Sequence, residues 1–219
     1  MKMPVKPKRL SEKKAAQIFE LLAAAWPDAH CELEYENPFQ LLLAVLLSAQ
    51  TTDKAVNRAL APLRRKKPGF GAQELVAMGE ASFLKVIRSL GLANTKARNA
   101  VAMSGIILEK FAGSVPNGQE ELESLPGVGR KTANVVRNVL FGAPTMPVDT
   151  HVGRVAQRIG LSEVTTNLRI IEEQVLGSVP DKYAVIAHHL LIFQGRYVCT
   201  ARTPQCEICS VRSFCLKRL

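Results

Sequence analysis

No stretch of this chain is apolar for long enough to cross a membrane as a helix. The longest uninterrupted apolar run, 41–47, is far short of the roughly 20 residues such a span needs. The N-terminus carries Lys2, Lys6, Lys8 and Arg9 with no apolar stretch behind them, so a secretory signal is not expected. Aromatic residues are few, at 5%, whereas the apolar fraction of 47% is ordinary for a folded protein. Cysteine is nearly absent before the tail: of five, four fall in the last 21 residues, and only Cys31 stands apart. A disulfide framework spread through the chain is thereby excluded, and a reducing, intracellular setting is expected. Cys31, with no partner in view, is expected simply to pack.

Acidic residues are in deficit. Lys and Arg outnumber Asp and Glu by 29 to 19, a formal charge of +10, which suits a polyanionic partner because phosphate contacts release counterions. Low-complexity linkers, internal repeats and convincing strand patterns are also missing. What remains is helical periodicity. Ser11 is placed to cap a helix through Ala25, and Asn37-Pro38 is a strong start signal. The helix it opens, 39–48, is apolar on nearly every face and is expected at the centre of a bundle. Further helices are expected over 53–63, 72–78, 80–90, 95–111, 119–124, 130–140, 152–159, 168–176 and 183–194. Gly91, Gly113, Gly142, Gly160, Gly177 and Gly195 each stand where a C-terminal cap would. About ten short helices with short connections make an all-α protein. Arg64-Arg65-Lys66-Lys67 reads as a solvated basic loop between helices.

Between the helices at 119–124 and 130–140 lies Leu125-Pro126-Gly127-Val128-Gly129. Two glycines one residue apart permit positive φ and close approach of a ligand to the backbone. The helix that follows points its free amides and positive dipole end at the turn, an anion site suited to DNA phosphate. Leu125 and Val128 are its apolar anchors, and Gly127, Val128, Gly129 and Arg130 its candidate DNA contacts. Lys131 stands in the first helical turn, where the dipole, Arg130, Arg137 and any desolvation would lower its pKa toward the neutral amine that nucleophilic attack requires. Asp149, eighteen residues on in Val148-Asp149-Thr150-His151, would oppose this if close. Asp149 and Thr150 are equal candidates to cap a helix from Val152.

Cys199, Cys206, Cys209 and Cys215 are spaced C-x6-C-x2-C-x5-C. Zinc sites usually pair two short knuckles across a longer spacer, and here there is one, so the compact run favours a [4Fe–4S] cluster, with zinc as the alternative and a disulfide pair a weak third option in a reducing compartment. Arg196 and Arg202 flank the first cysteine, and Arg212, Lys217 and Arg218 follow. A basic loop stapled by a cluster would clamp phosphate; equally, the cluster would staple a small lobe that cannot build its own core.

Taken together, these residues resemble the endonuclease III family of helix-hairpin-helix DNA glycosylases. The resemblance rests on Leu47-Ser48-Ala49-Gln50-Thr51-Thr52-Asp53, Gly91-Leu92, the hairpin from Leu125 through Val136, Val148-Asp149-Thr150-His151, Gly195-Arg196-Tyr197 and the four cysteines, and it covers nearly the whole chain. It implies a two-lobed all-α fold with the DNA cleft between the lobes. One lobe is a six-helix barrel (31–143) holding the helix-hairpin-helix at about 119–140. The other is a cluster lobe (1–30 plus 144–219) with its [4Fe–4S] loop at 199–215. It implies a bifunctional glycosylase and abasic-site lyase of base excision repair that removes oxidised pyrimidines from duplex DNA. Lys131 would be the nucleophile, Asp149 the essential carboxylate, Gln50 the filler of the gap left by the extruded nucleotide, and Leu92, with Leu90, a wedge at the opposite strand. A monomer in the bacterial cytoplasm, working at the nucleoid, is expected. The loop Thr200–Gln205 is poor in basic residues, which weakens the case for Arg202 and makes 64–67 a candidate to compensate. Two other readings stay open: a non-catalytic DNA-structure binder, and an adenine-specific mismatch glycosylase. Lys131 and an end at Leu219 argue against the second.

Overall fold

The computed structural model describes residues 9–217, so Lys2, Lys6, Lys8 and Arg218 lie outside it. Among the described residues there are ten α-helices and no strand: α1 (Glu12–Ala25), α2 (Pro38–Leu47), α3 (Asp53–Lys66), α4 (Ala72–Ile87), α5 (Ala93–Phe111), α6 (Gln119–Glu123), α7 (Arg130–Phe141), α8 (Thr150–Ile159), α9 (Leu168–Leu176) and α10 (Ala187–Tyr197). None is long and apolar enough to cross a membrane. The chain divides into two compact units, Glu32–Gly142 and Met1–Cys31 with Ala143–Leu219.

The unit Glu32–Gly142 is built on α2. Asn37 caps it by accepting from the Gln40 amide at 2.9 Å, with Pro38 at the first position. From Phe39 to Leu47 every side chain is buried, and α2 packs against α3, α5 and α7. Burying each such leucine contributes about 1.5–3 kcal/mol. One α4 replaces the two helices expected at 72–78 and 80–90, but Gly79, at φ 73°, breaks it at the expected place. The basic run 64–67 is not a loop. It closes the last turn of α3, and Arg64 is buried, donating to the Glu34 carbonyl at 3.0 Å, to its carboxylate, and to the Asn57 carbonyl at 3.2 Å. That guanidinium anchors the segment before α2 and is closed to solvent.

In the other unit α1 buries Ala15, Ile18, Phe19 and Leu22 and α8 buries Val152, Val155, Ala156 and Ile159, each at i, i+3, i+4, i+7. These stripes meet Leu190 and Leu191 of α10 and Val211 in one core. Both approaches of the chain tie to the end of α8: the Leu10 amide donates to Gly160 O at 2.8 Å and the Leu216 amide to Ile159 O at 3.0 Å.

Several local expectations give way to packing. Ser11 holds the cap position of α1 without a side-chain hydrogen bond. Gly195 does not end a helix; it lies within α10, where a Cβ would stand 2.9 Å from His151 Cβ and 3.1 Å from Val155 Cγ2, so it is the close-approach point of α8 and α10. Helix α10 begins four residues later than expected, after a single 3-10 turn at Asp181–Tyr183.

Candidate functional site

The hairpin is a tight turn closed by the Val128 amide donating to Leu125 O at 3.0 Å. Pro126 and a positive-φ Gly127 (79°) occupy its middle positions, the signature of a type II turn. Leu125 and Val128 are buried beneath it. The two glycines serve different ends. A Cβ on Gly127 would meet Asn99 Nδ2 at 2.8 Å and Leu46 Cδ1 at 3.2 Å, so that glycine lets the turn press onto α2 and α5. Gly129, in extended backbone, has open space where its Cβ would be and caps α7 without a side chain. Of the two, Gly129 is the one with open space before it, at the start of α7.

Arg130 and Lys131, the first two residues of α7, are exposed. Arg137 turns to α6: its Nε donates to Asn117 O and its Nη1 to Gln119 Oε1, both at 3.1 Å.

Gln50 and Leu92 share an unusual trait. Both are non-glycine residues at positive φ, 53° and 60°, and both are exposed, Leu92 to 57%. Leu90, by contrast, is buried in the core and presents nothing to a partner.

Asp149 is the cap of α8, which starts at Thr150, two residues before the expected position. Asp149 Oδ1 accepts from the His151 amide at 2.8 Å and the Val152 amide at 2.7 Å; Oδ2 accepts from none of the described residues. Half-buried, the carboxylate thus has one oxygen fixing its direction and one left over.

The four tail cysteines, together with Ile159, Val198 and Pro204, line one space. Among the described residues no group of three His, Cys, Asp or Glu side chains closes as a single-ion site. Four cysteine sulfurs around one space are a donor set that fits an iron–sulfur cluster. Donors are already aimed at the sulfurs: Gln194 Nε2 at Cys209 Sγ (3.2 Å), Arg158 Nη1 at Cys199 Sγ (3.7 Å) and the Lys217 amide at Cys215 Sγ (3.3 Å). Such donors stabilise anionic thiolates in iron–sulfur sites. Burial pushes the Cys209 and Cys215 thiols up, with hydrogen bonds from the chain opposing it.

Sequence reasoning missed the residues that hold this loop. Arg154 Nε donates to Cys199 O at 3.1 Å and its Nη2 to Gly195 O at 2.8 Å, with His151 Nδ1 at 3.2 Å. Arg158, one turn on, donates to Thr200 O and Ala201 O at 2.7 and 2.9 Å. Their i, i+4 spacing on α8 was the available signal. Gln194 had none; it is buried and also accepts from Trp26 Nε1 at 3.1 Å. Of the flanking arginines, Arg202 is exposed. Arg196 is half-buried, and burial lowers its pKa, with Tyr197 and Cys31 opposing.

Comparison with known proteins gives a consistent result. The family model for HhH-GPD superfamily base excision DNA repair proteins matches residues 43–180, and that for the iron–sulfur binding domain of endonuclease III matches residues 199–215. Endonuclease III of Rickettsia felis is 47% identical over 199 residues, 91% of this chain and 92% of that protein. The Escherichia coli endonuclease III is 42% identical over 206 residues, 94% and 96% of the two chains. Among solved structures, a trapped endonuclease III–DNA covalent intermediate matches with a TM-score of 0.88 at 40% identity, over 95% of this chain and 97% of its own. A non-covalent endonuclease III–DNA complex matches at 0.89 and 40%, over 95% and 96%.

Proposed function

Since the chain belongs to the endonuclease III family of the HhH-GPD superfamily, a DNA glycosylase and abasic-site lyase of base excision repair with an iron–sulfur cluster, we propose that Lys131 is its nucleophile and Asp149 its essential carboxylate. The observation that carries this is the placement of Lys131: an exposed amine in the first turn of a helix whose amides lie behind the open face of Gly129. Phosphate held there by the amides of Gly129 and Arg130 sets the DNA backbone against the amine.

The reaction proceeds on an oxidised pyrimidine swung out of the stack, which costs less to unpair than an intact base. As the glycosidic bond stretches, positive charge grows at C1′ and the Asp149 carboxylate stabilises it. The Lys131 nitrogen bonds to C1′, the C1′–N bond breaks, and the base leaves with a proton. Ring opening then gives an imine between Lys131 and the sugar. Loss of a C2′ proton sends its electron pair to expel the 3′ phosphate, which nicks the strand. Gln50 fills the gap left by the extruded nucleotide, Leu92 wedges at the other strand, and Arg196 and Arg202 hold phosphate. Cys199, Cys206, Cys209 and Cys215 would hold the cluster as [4Fe–4S], which would supply rigidity to its loop. In this reading Glu32–Gly142 is the barrel domain with the hairpin, the remainder is the cluster lobe, and the protein works as a monomer in the bacterial cytoplasm, at the nucleoid.

Borohydride reduction on duplexes carrying thymine glycol or an abasic site tests the assignment. The wild type should be trapped as a covalent protein–DNA adduct and Lys131→Ala should give none. Equal trapping of the two would remove Lys131 from the mechanism.

A further inference from the structure

We propose that Lys96 is a positioning residue that joins the Gln50 turn and the Leu92 turn into one rigid duplex-inserting element. The inference rests on the reading that Gln50 and Leu92 enter the DNA.

Lys96 is bonded to both turns at once. Its backbone amide donates to Leu92 O at 3.0 Å, which closes the first turn of α5, and its Nζ donates to Thr51 Oγ1 at 2.7 Å. Thr51 in turn donates from its hydroxyl to Ala49 O at 3.3 Å, and its amide donates to Ser48 O at 3.0 Å. The path from Lys96 through Thr51 to Ala49 therefore brackets Gln50. The two turns also lie against each other: a Cβ on Gly91 would stand 3.9 Å from Gln50 O and 4.0 Å from Thr51 Oγ1.

Both inserting residues occupy the left-handed region, which side chains with a Cβ adopt only where surroundings enforce it. Something must hold them there, and these loops are otherwise short and exposed. The tie itself runs against ordinary stability. Lys96 is 4% exposed, the only partner of its ammonium among the described residues is a neutral hydroxyl, and burial pulls its pKa down. It also lies in the first turn of α5, where the helix dipole disfavours a cation. A buried charge without a counter-ion costs folding free energy. Its three donors in a fixed place suit it to register two loops.

The test uses the full protein at saturating concentration on a duplex with a tetrahydrofuran abasic analogue opposite 2-aminopurine, whose fluorescence rises when it unstacks. Thr51→Val and Lys96→Met should each cut the fluorescence increment at least about twofold. Thr51→Ser, which keeps the hydroxyl, should retain it, and Thr51→Val with Lys96→Met should lower it no further than the stronger single change. Full increments in both single variants, or effects that multiply in the double, would overturn the tie. Thermal melts accompany each variant; should Lys96→Met fail to fold, Thr51→Val against Thr51→Ser decides alone. Gln50→Ala and Leu92→Ala separate the levels. If they leave the increment intact, the insertion reading falls and the tie with it. If they abolish it while Thr51→Val and Lys96→Met are silent, the insertion reading survives and the tie alone is wrong.

Discussion

Position 127 cannot take a side chain, and position 129 can. Gly127→Ala adds a Cβ in the left-handed region and within 3.2 Å of both Asn99 and Leu46. A loss of about 2 kcal/mol in urea unfolding is expected. Gly129→Ala meets no atom and keeps extended backbone, so its stability should stay within about 0.5 kcal/mol of wild type. Its cost falls on DNA affinity, equally for all sequences, because phosphate contacts do not read bases. Binding isotherms on two unrelated duplexes check this. A second residue sets acid sensitivity. Burial, with His30 opposing its charge, brings the His189 pKa from 6.5 to about 4. Both states are neutral near pH 7; as pH falls below about 6.5 the unfolded chain takes up a proton the folded one refuses. Stability should therefore drop by up to about 3 kcal/mol between pH 6.5 and 4. Unfolding curves across that range should flatten for His189→Leu.

Among the elements, α8 carries the most. It begins at the Asp149 cap and sends Arg154 and Arg158 to the cysteine loop. Capping and chemistry are separable at Asp149. Asn keeps an oxygen for the His151 and Val152 amides, whereas Ala removes it, so Asp149→Ala should cost about 1 kcal/mol and Asp149→Asn a few tenths. Both should lose base excision, because neither supplies a negative charge. Excision by Asp149→Asn at the wild-type rate would reduce Asp149 to a cap. The elements also mark where periodicity suffices and where it does not. Gly79 breaks α4 where the pattern stops. Gly195 stands where a terminator would and instead lies inside the last turn of α10, because the contact it serves lies on α8, more than thirty residues earlier.

For the molecule as a whole, the C-terminal loop has little regular structure among the described residues, a 3-10 turn at Cys206–Ile208. Arginine and glutamine contacts orient it, but four covalent ligands would fix it. Oxidative loss of the cluster with chelation should bleach the visible absorbance and open the loop to trypsin at the exposed Arg202. Digestion within Glu32–Gly142 should not change. Mass spectrometry of timed digests reads both. Unaltered cleavage at Arg202 would mean that protein contacts alone hold the loop.

The Asn37 cap, the glycine turn between two helices, the cysteine spacing and the helical periodicity depend on neighbours a few residues apart, and for that reason the sequence carries them. Long-range packing decided the rest. Arg64 became a buried anchor, Leu90 a core residue and Arg154 the clamp on Cys199, because each partner lies 30 or more residues away or across the core. The pairing of Lys96 with Thr51 spans 45 residues; no local pattern encodes it, since only the approach of one helix start to the turn after α2 brings the ammonium to the hydroxyl.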